Sequence, residues 1–328
     1  MIRRSAVTLI EVLVSIFIMG VGLLALLTLF PLGALTMDQA IKADRAAALA
    51  RNMYGIVTAK NVRRDTAFFD LTQTPVVDAY TDPNPPPTGG LRWIPIPRQP
   101  GLWRGPTYPI FVDPWGVLAS GAPRPLGATP ASPGIPRRSV SFVAGQATAP
   151  ARRQQALTFF SLTDDMQFTD NGTPQAIGTE VQRTSRYTSA LLLRRVIAPE
   201  RDWIEMAVVV YYDRPLDVPG IEPTYPGVVF DPASNAVLVE WDPATQQRPP
   251  IRKGGWVLDA TVVNGTQPEP HGYFYRVTSV TDAPPPRPGR QAVLLELQDR
   301  PRQATTNGVL VVMEYAIEVF DEGLGWKP

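Results

Sequence analysis

The stretch AVTLIEVLVSIFIMG, residues 6–20, places one carboxylate inside an apolar run. Glu11 is the only formally charged side chain from Ala6 to Met37. A carboxylate inside a membrane segment costs about 2.5–3.5 kcal/mol and needs a partner. No Lys or Arg lies within helical reach on its C-terminal side. A cut between Ala6 and Val7 would create a free amine four residues before Glu11, on the same helix face.

The apolar run after Glu11 is long enough to cross a membrane. Val12–Met37 carries no charge and exceeds the ~20 residues that a spanning helix needs. An ordinary secretory signal has only about 7–15 apolar residues before its cleavage site, although Leu-Gly-Ala at 32–34 resembles a poor site. Arg3 and Arg4 precede the run. By the positive-inside rule they stay in the cytoplasm, and the chain beyond the run is exported.

Residues 6–13, with the sequence AVTLIEVL, closely resemble the class III leader of type IV pilins and type II secretion pseudopilins. In that family a prepilin peptidase removes a short basic leader after a small residue. The new N-terminus is methylated, and the glutamate four residues later directs docking into a helical filament. The resemblance implies cleavage after Ala6, methylation of Val7 and an assembly role for Glu11. The amine of Val7 would pair with Glu11 of its own chain or of a neighbour.

The resemblance covers roughly residues 1–60, and residues 13–26 are most similar to PilV-type minor pilins and minor pseudopilins. The family normally has Gly before the cut and often has Phe after it, where this chain has Ala6 and Val7. The implied partners are other pilin or pseudopilin subunits, the prepilin peptidase and methyltransferase, the inner-membrane assembly platform and the lipid bilayer. A plain signal anchor, with Glu11 near the interface by chance, is the alternative.

The apolar run continues into a second helical segment. Thr36–Val62 is rich in alanine, which favours helix, and its apolar residues recur near one face: Met37, Ile41, Leu49, Met53 and Ile56. A helix from Thr8 to Lys60 would be ~75–80 Å long. Pro31 cannot donate its backbone hydrogen bond, which predicts a kink or local melting near 27–31.

The region after the helix is rich in turn-forming residues. The chain has 36 prolines, and residues 82–90 form a loop by composition. The segment 108–116 predicts a short strand that ends in a tight turn. Residues 121–153 predict an exposed loop or flexible insert. Arg137-Arg138 and Arg152-Arg153 would be solvated surface charge there, with contact to acidic partners as the alternative.

Strands dominate the remaining sequence. Segments rich in β-branched and aromatic residues predict an antiparallel pair, 187–197 with 203–212. Five further segments predict a small β-barrel or sandwich module, at 236–241, 255–263, 273–281, 291–298 and 309–320. Together with the helix, these strands predict an α+β protein.

Residues with catalytic or metal-binding chemistry are scarce. The chain has no cysteine, and its single histidine, His271, reads as a surface or packing residue in a turn. The formal net charge of +1 gives no electrostatic reason to expect a nucleic-acid partner. Asp164-Asp165 and Asp170-Asn171-Gly172 offer oxygen ligands, but their spacing fits no EF-hand. The prediction is therefore no enzyme, no cofactor and no metal.

The sequence predicts four regions. These are a leader (1–6), a transmembrane and stem helix (7–62), a proline-rich part of the head (63–185) and an antiparallel β-rich head (186–328) with a β-barrel module at 234–323. The chain would be a single-pass protein of the bacterial inner membrane, with a cytoplasmic N-terminus and a periplasmic or extracellular head. Its filament could be a pilus, a secretion pseudopilus or a DNA-uptake device. The alternative is a membrane-anchored module that binds a surface polymer or carbohydrate.

Overall fold

The structure is a computed structural model that describes residues 9–60, 62, 109–118, 124–130, 132–144, 148–162, 165–177, 180–181, 183–195, 204–216, 222–263 and 269–322. The chain divides into two compact units, Met1–Ala47 and Ala48–Pro328. The predicted cleavage site at 6–7 and the proline-rich loop at 82–90 lie outside the described residues.

A single helix, α1 (Leu9–Ala59), forms the described N-terminal sequence. It contains 51 residues, which agrees with the helix predicted from Thr8 to Lys60. The helix continues through Pro31 without a break, and the predicted kink stays a prediction. Among the described residues, no helix combines the length and the apolar character that a membrane crossing requires.

Short helices and many strands follow α1, which makes the protein α+β as predicted. The helices are α2 (Pro114–Leu118), α3 (Ser141–Ala144) and α4 (Ala149–Phe160). The strands are β1 (Ile110–Val112), β2 (Arg137–Arg138), β3 (Ala176–Ile177), β4 (Glu180–Val181), β5 (Tyr187–Arg195), β6 (Ile204–Tyr212), β7 (Thr224–Phe230), β8 (Ala236–Trp241), β9 (Trp256–Asp259), β10 (Val262–Val263), β11 (Glu269–Pro270), β12 (Tyr273–Ala283), β13 (Gln291–Leu297), β14 (Thr305–Met313) and β15 (Ala316–Glu322).

A five-stranded sheet has the order β15-β6-β5-β1-β2. Its centre is the antiparallel pair β5–β6, in register from Tyr187 opposite Tyr212 to Arg195 opposite Ile204. This confirms the pair predicted from the sequence. The first strand is followed by α2 rather than by a simple turn, because the Asp113 carboxylate accepts the backbone N–H of Gly116 at 2.9 Å and caps the helix.

A six-stranded sheet has the order β7-β14-β9-β12-β13-β8, and β7 also packs against β8, so that the sheet is a nearly closed barrel. Apolar side chains from all six strands fill its interior: Tyr225, Val228, Phe230, Val237, Val239, Trp241, Val257, Tyr275, Val277, Val293, Leu295, Leu297, Leu310 and Val312. The predicted module at 234–323 overlaps this sheet, whose strands lie between Thr224 and Met313. The predicted region boundaries stay predictions.

The barrel is inserted between two paired strands of the five-stranded sheet. Before the insertion the chain leaves β6, and after it the chain returns in β15, where Ala316 lies opposite Tyr211. The backbone N–H of Tyr212 donates to the carbonyl of Tyr315 at 3.0 Å. The single strand predicted at 309–320 is therefore wrong: the sheet changes at Glu314-Tyr315, where neither Gly nor Pro marks the turn in the sequence.

A second apolar cluster joins the barrel to the five-stranded sheet. It contains Phe111, Leu192, Ala207 and Val209 from the sheet, and Leu258, Phe274, Val309 and Val311 from the barrel, among others. Because these side chains share one buried core, the sheet and the barrel form one packed head.

The prediction that residues 121–153 form an exposed loop is wrong for the described part of that segment. Leu126 and Ile135 are completely buried and exchange two backbone hydrogen bonds of 2.8 and 2.7 Å. Between them, Gly134 has φ 71°, and a Cβ atom there would lie 2.6 Å from the Leu126 carbonyl oxygen. The segment is rich in turns, but its backbone pairing buries Leu126 and Ile135 in the core.

Candidate assembly site

The N-terminal part of α1 presents apolar side chains in every direction. Four consecutive residues, Ile16–Met19, have relative exposures of 63–71%. Since successive helical residues are about 100° apart, four of them cover the whole circumference. Leu9 and Phe30 are 80% and 79% exposed. Such an apolar surface is stabilised when it is buried against other apolar groups.

Glu11 lies in the first turn of α1 with an exposed side chain. A carboxylate at this position is favoured by the partial positive charge of a helix N-terminus. The Ser15 hydroxyl donates to the backbone carbonyl of Glu11 at 2.7 Å, and the Thr36 hydroxyl donates to that of Gly33 at 2.9 Å. These two hydroxyl groups are therefore satisfied by the helix itself, as an apolar environment demands.

Two of the four predicted site residues lie in the part of the chain that the structure describes. Glu11 and Pro31 are on α1, whereas Ala6 and Val7 lie outside the described residues. The pairing of the Val7 amine with Glu11, the cleavage and the methylation therefore stay predictions.

The C-terminal part of α1 belongs to the second unit and is packed into the head. Leu49, Met53 and Val57 are completely buried, and the Tyr54 hydroxyl donates to the Phe320 carbonyl on β15 at 3.1 Å. Of the predicted apolar stripe, Leu49 and Met53 are completely buried, whereas Met37 and Ile41 are 66% and 47% exposed.

The single histidine is part of a buried hydrogen-bond network in the head. His271 is buried, and its Nδ1 lies 2.5 Å from the Asp259 carboxylate. Thr261 donates to the same carboxylate through its backbone N–H and its hydroxyl, and accepts the backbone N–H of Val309 at 3.0 Å. This network links β9 to β14 and satisfies the hydrogen bonding of the buried Asp259, so His271 has a structural role in the core. The surface alternative for His271 is wrong.

The candidate oxygen ligands do not form a metal site in the described part of the chain. No group of three or more His, Asp or Glu side chains there could hold a metal ion. Asp170-Asn171-Gly172 is the tip of a hairpin, in which the Gly172 backbone N–H donates to the Thr169 carbonyl at 2.9 Å. Asp164 lies outside the described residues.

Arg194 connects the sheet and the barrel, which the sequence did not predict. Its guanidinium donates to the Asp321 carboxylate at 2.7 Å, to Glu205 at 2.7 Å and to the Gly272 carbonyl at 3.0 Å. Burial by itself lowers the pKa of Arg194, but Asp321 and Glu205 outweigh burial and raise it above the ordinary value. Arg194 therefore stays charged inside the head.

Arg137 is a further buried arginine of the head. The sequence predicted a solvated surface charge, whereas the structure buries Arg137 against Asp113 and Glu222. Burial lowers its pKa, but these two carboxylates raise it more, so the pKa lies above its ordinary value. Its neighbour Arg138 is exposed as predicted. A run of charged residues gives no signal that one of them will point into the core.

Residues 1–27 match the family model described as the prokaryotic N-terminal methylation motif. This match supports the resemblance to type IV pilins and pseudopilins. It also supports processing of a type IV pilin-like protein by prepilin peptidase. The motif marks exported, membrane-anchored structural subunits that assemble with other pilins, rather than enzymes. No curated protein and no solved structure matched the chain.

Proposed function

We propose that the chain is a minor pilin or pseudopilin subunit, assembled through its N-terminal helix into a type IV pilus or a type II secretion pseudopilus. The observation that carries the proposal is the methylation motif at 1–27 with Glu11 at its expected place in an apolar helix. Before processing, the helix is a single span of the inner membrane, with Arg3 and Arg4 in the cytoplasm.

Processing would create a new positive charge four residues before Glu11. Prepilin peptidase cuts after Ala6, and the new amine of Val7 is methylated but keeps its positive charge. In apolar surroundings an amine and a carboxylate attract each other much more strongly than in water. The Glu11 carboxylate of one subunit therefore neutralises the Val7 amine of a neighbour and sets the register of the helices.

The head favours a rare or terminal position in the filament. The second unit, Ala48–Pro328, holds a barrel of its own inserted into the five-stranded sheet. A bulky head is easier to place at a filament tip than along a crowded shaft. A PilV-like minor subunit fits this position.

The first experiment is mass spectrometry of the N-terminus of the membrane-extracted full chain. We expect a chain that starts at N-methylated Val7. A chain that starts at Met1 would make the helix a plain anchor, and one that starts near Leu35 would make it a cleaved signal. Either of these two results would overturn the proposed processing.

A second candidate function, an anchored binding module, is favoured by two adjoining grooves on the barrel, of about 300 and 280 Å³. They share Pro250 and Glu314, and the second groove contains the half-buried Trp256. Flat aromatic faces suit sugar rings. Binding of the detergent-purified full chain to a glycan array, lost in Trp256→Ala, would support this function. An array without signal would contradict it.

A further inference from the structure

Four charged side chains form a buried arginine cluster: Asp113, Arg137, Arg214 and Glu222. Arg137 donates to Asp113, and its Nη2 lies 2.5 Å from both oxygens of Glu222. Nη2 of Arg214 donates to Asp113 at 3.1 Å and to Glu222 at 3.0 Å. The side chains of Arg137, Arg214 and Asp113 are at most 3% exposed, and that of Glu222 is 13% exposed. Two guanidinium groups face two carboxylates, so the cluster is neutral overall.

Two aromatic side chains line the cluster. The guanidinium carbon of Arg214 lies 3.5 Å from the ring centre of Trp115 and 4.2 Å from that of Tyr211. Trp115 is 6% exposed and Tyr211 is 2% exposed. Both aromatic rings therefore lie against the guanidinium group of Arg214, and all three side chains are shielded from bulk solvent.

Each of these three side chains has one buried polar atom without a hydrogen-bond partner among the described residues: Arg214 Nη1, Trp115 Nε1 and Tyr211 Oη. A buried polar group left without a partner costs about 1–3 kcal/mol. Folded proteins rarely leave such groups unsatisfied. Three of them around one guanidinium group point to a shared ligand rather than to three separate defects.

The chemistry of the three atoms defines that ligand. Arginine and tryptophan only donate hydrogen bonds, so the ligand must accept at least two. Burial raises the pKa of Tyr211, so its hydroxyl stays protonated and can accept as well as donate. An anion would add an uncompensated buried charge to a neutral cluster, which is costly. The ligand must be small, neutral and able both to accept and to donate.

We propose that the head contains a buried water-binding site formed by Arg214, Trp115 and Tyr211. The water accepts hydrogen bonds from Arg214 Nη1 and Trp115 Nε1 and donates one to Tyr211 Oη. Three hydrogen bonds are typical of a buried water. The site lies where the chain leaves the sheet for the barrel, because Arg214 follows β6 and Glu222 precedes β7. The water completes the polar network that holds this junction.

The sign of the Tyr211→Phe effect on thermal unfolding tests the site. If a water is bound, the variant loses a satisfied hydrogen bond, and the unfolding midpoint of the detergent-purified full chain falls by about 2–4 °C. If the site is dry, the variant removes an unsatisfied buried hydroxyl, and the midpoint stays or rises. The matched control is Tyr225→Phe, because the Tyr225 hydroxyl donates to the Gln247 carbonyl at 3.2 Å. Its midpoint should fall by a similar amount.

A crystal structure of the full chain, with and without bromide, is the second test. We expect one water within hydrogen-bond distance of at least two of the three atoms, and no bromide signal at that position. Bromide at the site would replace the water assignment by an anion site. A site without density, or a rearranged Arg214 that finds protein partners, would overturn the proposal.

Discussion

The apolar part of α1 and the head place their charged side chains differently. Glu11 is exposed and is followed by the uncharged run Val12–Met37. In Ala48–Pro328, Asp113, Arg137 and Arg194 are buried and paired within the chain. A charge that faces outward from an apolar surface can be neutralised by another molecule. A charge that is neutralised inside the head contributes to the fold instead.

The sharpest test of this contrast is Glu11→Ala. We expect membrane insertion and the stability of the head to be unchanged, and incorporation into filaments to be nearly abolished, because the neighbour's amine loses its partner. Quantitative immunoblots of sheared filaments and of membranes measure both fractions. Ser15→Ala is the control on the same helix and should retain incorporation. Normal incorporation of Glu11→Ala would refute the docking role.

The opposite result is expected for Arg137→Met in the head. Removing one partner of a buried ion pair leaves an uncompensated charge and costs about 3–5 kcal/mol. Denaturant unfolding of the full chain in detergent measures the loss. The control is Arg248→Met, since Arg248 and Asp282 form an exposed pair of 2.6 Å, for which the expected loss is below about 1 kcal/mol. Equal losses in the two variants would show that the Arg137 pair is not special.

A smaller effect is expected where α1 packs into the head. Met53 is completely buried, so Met53→Ala should create a cavity and lower the free energy of unfolding by about 2–4 kcal/mol. Met37 is 66% exposed, so Met37→Ala should change it by less than about 0.5 kcal/mol. Chemical unfolding of the two variants compares one helix in its two environments. A similar cost at both positions would remove the distinction.

The smallest expected effect concerns alkaline pH. Burial raises the pKa of Tyr225 from 10.0 to about 12, so the folded head favours the neutral phenol. The stabilisation is complete below pH 10 and is lost as the pH rises from about 10 to about 12. Tyr225→Phe should flatten this part of the stability curve, measured as unfolding midpoints at half-unit pH steps. An unchanged curve would mean that Tyr225 does not contribute.

Local chemistry made some elements predictable. The 51-residue helix follows from a long apolar run joined to an alanine-rich segment, and β5 and β6 follow from their β-branched and aromatic residues. Leu126 and Ile135 were missed because glycine and proline surround them. Their burial depends on a backbone pairing that brings the two turns together.

The sequence by itself determined the N-terminal helix of this protein. The basic leader, the uncharged run and Glu11 are recognised from local properties, namely hydropathy, helix propensity and the spacing of one carboxylate from the predicted cleavage site. The arrangement of the strands and of the buried charged residues in the head became visible only in the tertiary structure. The insertion of the barrel between β6 and β15 and the burial of Arg137 against Glu222 depend on residues that are far apart in the chain. The sequence shows which side chains are charged, but the tertiary structure decides which charged side chains come into contact.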